Sequence, residues 1–199
     1  MIDVVAFDYG NVLAHQVPAL RRQLIELTGI PDPEFTRRYD VSRDAYDQGT
    51  LDGRAYWTEF LGRDTSPELI DRLIRIDVES GLTLDTALVR WAGQLREAGH
   101  RLAILSNMPQ DIVNGLRRAH AGLLQQFDVT LFSCQLGVIK PAAGIYERLL
   151  ADLATPPGQV LFVDDKQKNV DAAWQLGMAA VRFDTIEQLA SLLQIDKNR

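Results

Sequence analysis

Short apolar runs recur along the chain and are separated by longer polar or mixed stretches. Each run is nearly continuous in apolar character, which is typical of strands buried on both faces of a parallel sheet. Five such runs therefore predict a sheet of at least five strands. They are Val4 to Phe7, Leu102 to Leu105, Val129 to Phe132, Val160 to Val163 and Ala179 to Phe183.

Amphipathic segments lie between the later runs. Apolar residues recur at helical spacing in stretches that include Thr86 to Ala98, Ile145 to Leu153 and Val170 to Leu176. Alternating strands and helices are typical of a doubly wound domain, in which helices cover both faces of a parallel sheet. The pattern predicts an α/β fold with a Rossmann-like core.

The first and second runs are far apart in the sequence. The gap from Phe7 to Leu102 is much longer than the single crossover helix that a parallel βαβ unit needs. From about Pro18 to Gly81 the pattern is helical, without convincing strand alternation. This stretch predicts a helical insertion after the first strand.

Two proline-containing segments of this insertion are typical helix starts, Asp32-Pro33-Glu34 and Ser66-Pro67-Glu68. We therefore predict a small helical cap domain over residues 17–81. Residues 1–16 and 82–199 form the predicted core domain.

Composition and charge exclude several classes of function. The 199 residues, 46% of them hydrophobic and 24% charged, are enough for a domain with a buried core and an insertion. A net charge of -6 gives no electrostatic basis for a nucleic-acid partner, which would need clustered Lys and Arg. Cys134 is the only cysteine, so an intramolecular disulfide is impossible. With no signal-peptide pattern and no long apolar run, we expect a cytoplasmic protein without a membrane partner.

Polar residues follow four of the predicted strands. The carboxyl ends of parallel strands meet at one edge of a sheet, where ligands bind, so we expect these side chains to lie close together. They are Asp8, the pair Ser106 and Asn107, Lys140 after a short loop, and the pair Asp164 and Asp165.

The three carboxylates of this set would repel one another at short range unless a cation or a proton lay between them. A divalent metal ion satisfies this requirement. Oxygen ligands without Cys or His favour a hard ion, Mg²⁺ rather than Zn²⁺.

The segments FDYGNVL, LSN, GVIKP and VDDKQKNVDAAWQLGM resemble, in order and spacing, the four motifs of haloacid dehalogenase-like (HAD) hydrolases. The match spans nearly the whole chain outside the insertion. Within that superfamily, the Gly-Asn-Val form of the first motif and the small helical cap look most like bacterial sugar-phosphate phosphatases that include the glucose-1-phosphatase group. The resemblance implies a phosphatase that acts on a small phosphorylated metabolite.

The resemblance implies a role for each motif residue. Asp8 attacks phosphorus and forms an aspartyl-phosphate, which water then hydrolyses. Ser106 and the backbone at Asn107 hydrogen-bond the phosphoryl oxygens. Lys140 neutralises phosphoryl charge and holds Asp8 in its ionised state.

The resemblance also implies a magnesium site. Asp8, Asp164, Asp165 and the main-chain carbonyl of Gly10 supply its ligands, one of the aspartate pair through water. Asn169 supports the loop that carries the pair.

Position 10 departs from the family pattern. Most phosphatases of the superfamily carry there a second aspartate that protonates the leaving group, and this chain has Gly10. General acid–base help contributes about 10²–10⁴ in rate, so its loss predicts a slow enzyme, a good leaving group, or another proton donor. The candidates are His15, Tyr9 or a residue of the cap.

Three other functions compete with the phosphatase. A metal-independent haloacid dehalogenase also uses an aspartate nucleophile, but has no use for a second pair of carboxylates. A phosphomutase needs a proton donor at position 10. A catalytically weak phosphate-binding module that regulates a partner is favoured only by Gly10. The sequence does not indicate the substrate or the oligomeric state.

Cap residues that face the substrate are not identified by the sequence. The cap aromatics are expected to be mostly packing residues, and its arginine pairs to face solvent. These aromatics are Tyr39, Tyr46, Tyr56, Trp57 and Phe60, and the arginines are Arg21, Arg22, Arg37 and Arg38.

Overall fold

The computed structural model describes residues 1–193 and contains one five-stranded parallel sheet. All five predicted strands are confirmed, each to within a residue at either end. The predicted core domain extends to residue 199, and its last six residues lie outside the described part of the chain. The strands are β1 Val4–Phe7, β2 Arg101–Ser106, β3 Val129–Phe132, β4 Val160–Asp164 and β5 Ala179–Arg182.

The strand order is β3-β2-β1-β4-β5, which places β1 at the centre of the sheet. Val5 of β1 lies opposite Leu102 of β2 on one side and Leu161 of β4 on the other. All four residues of β1 are buried, which explains its uninterrupted apolar sequence. The residue after β1 therefore emerges at the middle of the carboxyl edge.

Four helices occupy the predicted insertion, between β1 and the rest of the core. The predicted helix starts are confirmed: the second helix begins at Asp32, and Ser66 caps the fourth by accepting a hydrogen bond from the amide of Leu69. The insertion has a hydrophobic cluster of its own around Trp57 and Phe60. The division into cap and core domains stays a prediction. The helices are α1 Pro18–Thr28, α2 Asp32–Asp47, α3 Gly53–Leu61 and α4 Pro67–Ser80.

Helices of the core cover both faces of the sheet, which confirms the doubly wound α/β class. The remaining helices are α5 Thr86–Glu97, α6 Gln110–Ala119, α7 Ala121–Leu124, α8 Ser133–Leu136, α9 Ala143–Leu153, α10 Gln167–Gln175 and α11 Ile186–Leu193. Val5 and Phe7 pack in one cluster with α5, α6 and α11. Val4 and Ala6 point to the other face and pack with α9 and α10.

The C-terminal end of α2 is tied to loops of the core. The hydroxyl of Ser133 donates to the carbonyl of Asp47 and accepts from the amide of Met108 at 2.9 Å. The amide of Gln48 donates to the carbonyl of Gly137 at 2.6 Å. These bonds join the insertion to α8 and its C-terminal end, and through Ser133 to the loop that follows β2.

Within residues 1–193, the structure contains no helix that is both long enough and apolar enough to cross a membrane.

Candidate active site

Three predicted site residues lie at the carboxyl ends of neighbouring strands. Asp8 directly follows β1, Ser106 is the last residue of β2, and Asp164 is the last residue of β4. Their exposed fractions are 7%, 2% and 0%. The fold brings these side chains to one edge of the sheet, as the sequence predicts.

Lys140 lies in the loop between α8 and α9, and its ammonium group joins two of the carboxylates. Its Nζ is 2.8 Å from Oδ1 of Asp8 and 2.7 Å from Oδ2 of Asp164, and donates to the carbonyl of Leu105 at 2.9 Å. Burial alone would lower the pKa of Lys140, but the two carboxylates outweigh burial and raise this pKa above its usual value. Lys140 therefore carries a positive charge beside Asp8.

Opposing effects act on the Asp8 carboxyl group. The pKa of Asp8 is raised to about 6, because burial and the Asp164 carboxylate raise it more than Lys140 lowers it. The backbone amide of Tyr9 donates to Oδ1 at 2.6 Å and favours the ionised form. A cation bound beside Asp8 would lower this pKa.

Asn107 orients Lys140 through its side chain. Its Oδ1 accepts a hydrogen bond from the Lys140 amide at 2.8 Å, and its Nδ2 donates to the Lys140 carbonyl at 3.0 Å. The side chain of Asn107 is thus directed to the loop of Lys140, whereas the sequence suggested a role only for its backbone.

Asp164 is surrounded by hydrogen-bond donors. Lys140 binds Oδ2, the amide of Lys166 donates to Oδ1 at 2.8 Å, and Nδ2 of Asn169 donates to both oxygens at 2.9 and 3.0 Å. Asn169 therefore contacts Asp164, the first residue of the aspartate pair, where the sequence suggested support for its loop. The donors hold the Asp164 carboxylate in one orientation.

Asp165 has the opposite environment. Its Oδ2 accepts a hydrogen bond from Nδ2 of Asn11 at 2.9 Å. Its Oδ1 is buried and has no hydrogen-bond partner among the described residues. A buried, unpartnered carboxylate oxygen is costly unless a cation or donor occupies the space beside it.

Carboxylate oxygens of Asp8, Asp164 and Asp165 all lie within 4.8 Å of one another. Lys140 is the one cation that contacts this group among the ion pairs of residues 1–193. Three carboxylates and the unpartnered oxygen of Asp165 are a suitable donor set for a hard divalent cation such as Mg²⁺. The residues present therefore fit the predicted metal.

Two neighbouring cavities, which share several lining residues, lie between the core and the insertion. The main cleft, about 510 Å³, is lined by Asp8, Lys140 and Asp165 of the core and by Arg43 of the insertion. The side chamber, about 150 Å³, lies between Tyr39, Arg43, Asp77 and Ser80 of the insertion and Gly10, His15, Met108, Pro109 and Ile112 of the core.

A buried ionic cluster of the insertion faces both cavities. Arg43 donates to Oδ1 of Asp47 at 2.8 Å and to Oδ2 of Asp77 at 3.0 Å, and Tyr39 donates to Asp77 at 2.7 Å. The guanidinium group also lies 5.0 Å from the ring centre of Tyr39 and 5.1 Å from that of Tyr46. The side chain of Tyr39 therefore lines the site and also packs against its neighbours in the insertion.

Sequence reasoning missed Arg43. A signal was available, because Tyr39, Arg43 and Asp47 recur every four residues and so share one face of α2. Of the arginines considered from the sequence, Arg37 and Arg38 pair with Glu34 on the insertion surface. Those two do not line either cavity.

Gly10 and His15, the two positions connected with the missing general acid, line the same chamber. Gly10 lines both the main cleft and the side chamber. Nε2 of His15 is 2.9 Å from Oδ2 of Asp85, and the imidazole is about half exposed. Tyr9 also lines the chamber, but burial raises its pKa above the usual value, which disfavours it as an acid.

Comparison with protein families and with characterised proteins gives a consistent result. Residues 2–177 match the family model described as haloacid dehalogenase-like hydrolase. The bifunctional epoxide hydrolase 2 of Rattus norvegicus is 30% identical over 117 residues, which are 57% of this chain and 21% of that protein. The chain thus spans about a fifth of the length of that relative.

Solved structures resemble nearly the whole chain. One is a HAD family enzyme from Bacteroides thetaiotaomicron, solved in complex with magnesium and inorganic phosphate. It has a TM-score of 0.74 at 20% identity, and the alignment covers 96% of this chain and 99% of that one. The L-2-haloacid dehalogenase from Xanthobacter autotrophicus has a TM-score of 0.71 at 22% identity, and the alignment covers 98% of this chain and 83% of that one. At these identities the likeness concerns the fold alone.

Proposed function

This chain belongs to the haloacid dehalogenase-like hydrolases, and on that premise we propose that it hydrolyses phosphomonoesters of small metabolites with Mg²⁺ as cofactor. Asp8 is the nucleophile and forms an aspartyl-phosphate. The observation that carries the proposal is the environment of Asp165, whose buried Oδ1 lacks a hydrogen-bond partner within a cluster of three carboxylates.

The metal ligands are Asp8, Asp165 and the main-chain carbonyl of Gly10. Asp164 belongs to the same cluster, but its two oxygens already accept bonds from Lys140 and Asn169. It therefore acts on the metal indirectly, by fixing Lys140 and the loop of Asp165. When bound, Mg²⁺ supplies positive charge that stabilises the transferring phosphoryl group.

The reaction begins with attack by Asp8 on phosphorus, which forms a bond from the carboxylate to phosphorus as the bond to the leaving oxygen breaks. Lys140, 2.8 Å from Asp8, keeps the nucleophile ionised and offsets charge on the phosphoryl oxygens. Ser106 and the backbone at Asn107 donate hydrogen bonds to those oxygens. Water then attacks phosphorus and releases phosphate, which regenerates Asp8.

A haloacid dehalogenase is the second candidate, and its support is the similar fold of the Xanthobacter enzyme. A dehalogenase would use Asp8 on carbon, and Lys140 would still orient it. Such an enzyme has no need of the unpartnered oxygen of Asp165. Phosphoryl transfer is therefore favoured over dehalogenation. The similar fold of the Bacteroides enzyme, which was solved with magnesium and inorganic phosphate, further supports it.

A substitution of Asp165 tests the metal site and the activity together. In Asp165→Asn, Mg²⁺ should no longer raise the thermal unfolding temperature. The variant should also have lost the Mg²⁺-dependent hydrolysis of acetyl phosphate and phenyl phosphate. The matched control is Asp171→Asn, because Asp171 is exposed on α10 and should leave both unchanged. Phosphatase activity that survives complete chelation of divalent metal, or a normal Mg²⁺ response in Asp165→Asn, would contradict the proposal.

A further inference from the structure

Gly10 is one of the residues that the two cavities share, and the space beside its Cα atom is unfilled. The residue lines both the main cleft and the side chamber. A Cβ atom built at this position would meet no heavy atom within 4 Å. A larger residue would therefore extend into open space beside the two cavities.

The walls of the side chamber combine an apolar surface with polar side chains. Met108, Pro109 and Ile112 form the core side, and the ring of Tyr39 contributes the insertion side. Polar groups come from Gln16 and Ser80 and also from Asn11, His15, Ser106 and Asn107. A bound group would thus find apolar contacts and a few hydrogen-bonding partners, which is typical of a small-molecule site.

The charges of the chamber are already paired. Arg43 and Asp77 line it and bind each other at 3.0 Å, and Arg43 also binds Asp47. His15, which lines it too, is paired with Asp85 at 2.9 Å. By contrast, Lys166 and Lys168 line the main cleft and form no ion pair with a described residue, and Lys140 lies beside Asp8. A second anionic group would therefore find no unpaired cation in the chamber and would lose its hydration.

The volume of the chamber limits the size of its occupant. A protein cavity of comparable volume accommodates benzene, so about 150 Å³ admits a single ring. A nucleoside, a fused-ring alcohol or a long isoprenoid chain would exceed it unless the insertion moved.

We infer that the side chamber is the leaving-group site of this enzyme, and that it selects phosphomonoesters whose leaving group is one uncharged ring. The inference rests on the proposed phosphatase function. Gly10 thereby provides space at the position where most phosphatases of the superfamily carry an acidic side chain. The phosphoryl group occupies the main cleft beside Asp8, and the ring passes Gly10 into the chamber.

The wild-type enzyme tests this inference with four substrates: acetyl phosphate, phenyl phosphate, para-carboxyphenyl phosphate and naphthyl phosphate. Phenyl phosphate should exceed the carboxylated and the two-ring esters in kcat/KM by about tenfold or more. Equal or higher values for either of those esters would overturn the inference. If neither acetyl phosphate nor any of the three phosphate esters is hydrolysed, the proposed function itself fails.

Two substitutions that narrow the chamber provide an independent test. Ser80→Phe narrows it from the insertion and Ile112→Phe from the core. Each should lower kcat/KM for phenyl phosphate by about tenfold, mainly through KM, and leave acetyl phosphate nearly unchanged. Ser191→Phe, the same change at an exposed site on α11, is the control.

Equal losses for acetyl phosphate and phenyl phosphate in a folded chamber variant would overturn the inference, because the chamber would then not hold the leaving group. The two substitutions narrow the chamber from opposite walls, so that one can serve if the other does not fold. The comparison of substrates with the wild-type enzyme needs no variant at all. Misfolding of one variant therefore leaves the inference open to refutation.

Discussion

The side chain of Asn107 hydrogen-bonds both polar groups of the Lys140 backbone, at 2.8 and 3.0 Å. The two residues are 33 positions apart and follow different strands, β2 and β3. Lys140 in turn contacts the nucleophile and Asp164. The position of the ammonium group beside Asp8 therefore depends on a side chain that touches neither carboxylate.

Asn107→Ala should lower kcat by about 10–100-fold, the usual effect of removing a residue that orients another site residue. The loss should appear mainly in kcat, because Lys140 acts on phosphoryl charge as it develops. Steady-state kinetics with phenyl phosphate measure the effect. Asn114→Ala, at an exposed position of α6, is the control, and equal activities of the two variants would contradict the role given to Asn107.

Asp8→Asn should stabilise the metal-free protein above pH 6. Burial raises the pKa of Asp8 from 3.8 to about 6, so the folded state binds this proton more tightly than the unfolded state does. Ionised Asp8 therefore destabilises the fold as the pH rises through this interval. The amide should raise the free energy of unfolding by on the order of 2 kcal/mol at pH 8, and the gain should vanish near pH 4.

Urea unfolding of the two proteins in EDTA at several pH values measures this difference, with Asp171→Asn as the control. Added Mg²⁺ should stabilise the wild-type protein more than Asp8→Asn. A gain that grows as the pH falls would have the wrong sign and would contradict the assigned environment of Asp8.

His15→Ala should steepen the dependence of rate on the pKa of the leaving group. His15 lines the side chamber and is held by Asp85 at 2.9 Å, so it is placed on the leaving-group side of the site. Without a proton donor, a poor leaving group loses more rate than a good one. A series of substituted phenyl phosphates measures the slope.

The control for this series is His100→Ala, which lies outside both cavities. Identical slopes for wild-type and His15→Ala would mean that His15 is not the proton donor. The slope of the wild-type enzyme would then show whether any donor replaces the aspartate missing at position 10.

Gly10→Asp should accelerate hydrolysis of small alkyl phosphates. The new side chain has space, and an acid at this position contributes at most about 10²–10⁴ in rate. Gly10→Asn has nearly the same shape but no transferable acid proton, so it is the matched control. If the two variants hydrolyse small alkyl phosphates equally, position 10 does not supply the proton.

The strands were predictable because each is a local signal, an apolar run with a polar residue at its end. The same signal located Asp8 and Ser106, since parallel strands share their carboxyl edge. Asp164 and Asp165 are neighbours of the same type, and only their partners in the fold, Lys140 for one and Asn11 for the other, distinguish them.

The insertion was predictable as helices but not as a binding surface. The Arg43–Asp77 contact joins two helices across 34 positions, and no local pattern encodes the packing of one helix on another. Four-residue spacing places Arg43 on the same face as Asp47, but it does not reveal that this face covers the site.

The central claim is that Asp8 becomes phosphorylated during a Mg²⁺-dependent hydrolysis. Acid quenching of the enzyme during turnover of phenyl phosphate, followed by mass spectrometry of its peptides, tests this most directly. We predict one phosphoryl group on Asp8 of the wild-type protein in Mg²⁺, and none in EDTA or in Asp8→Asn. Sustained hydrolysis by a folded Asp8→Asn protein, or by the wild-type protein in EDTA, would contradict the account.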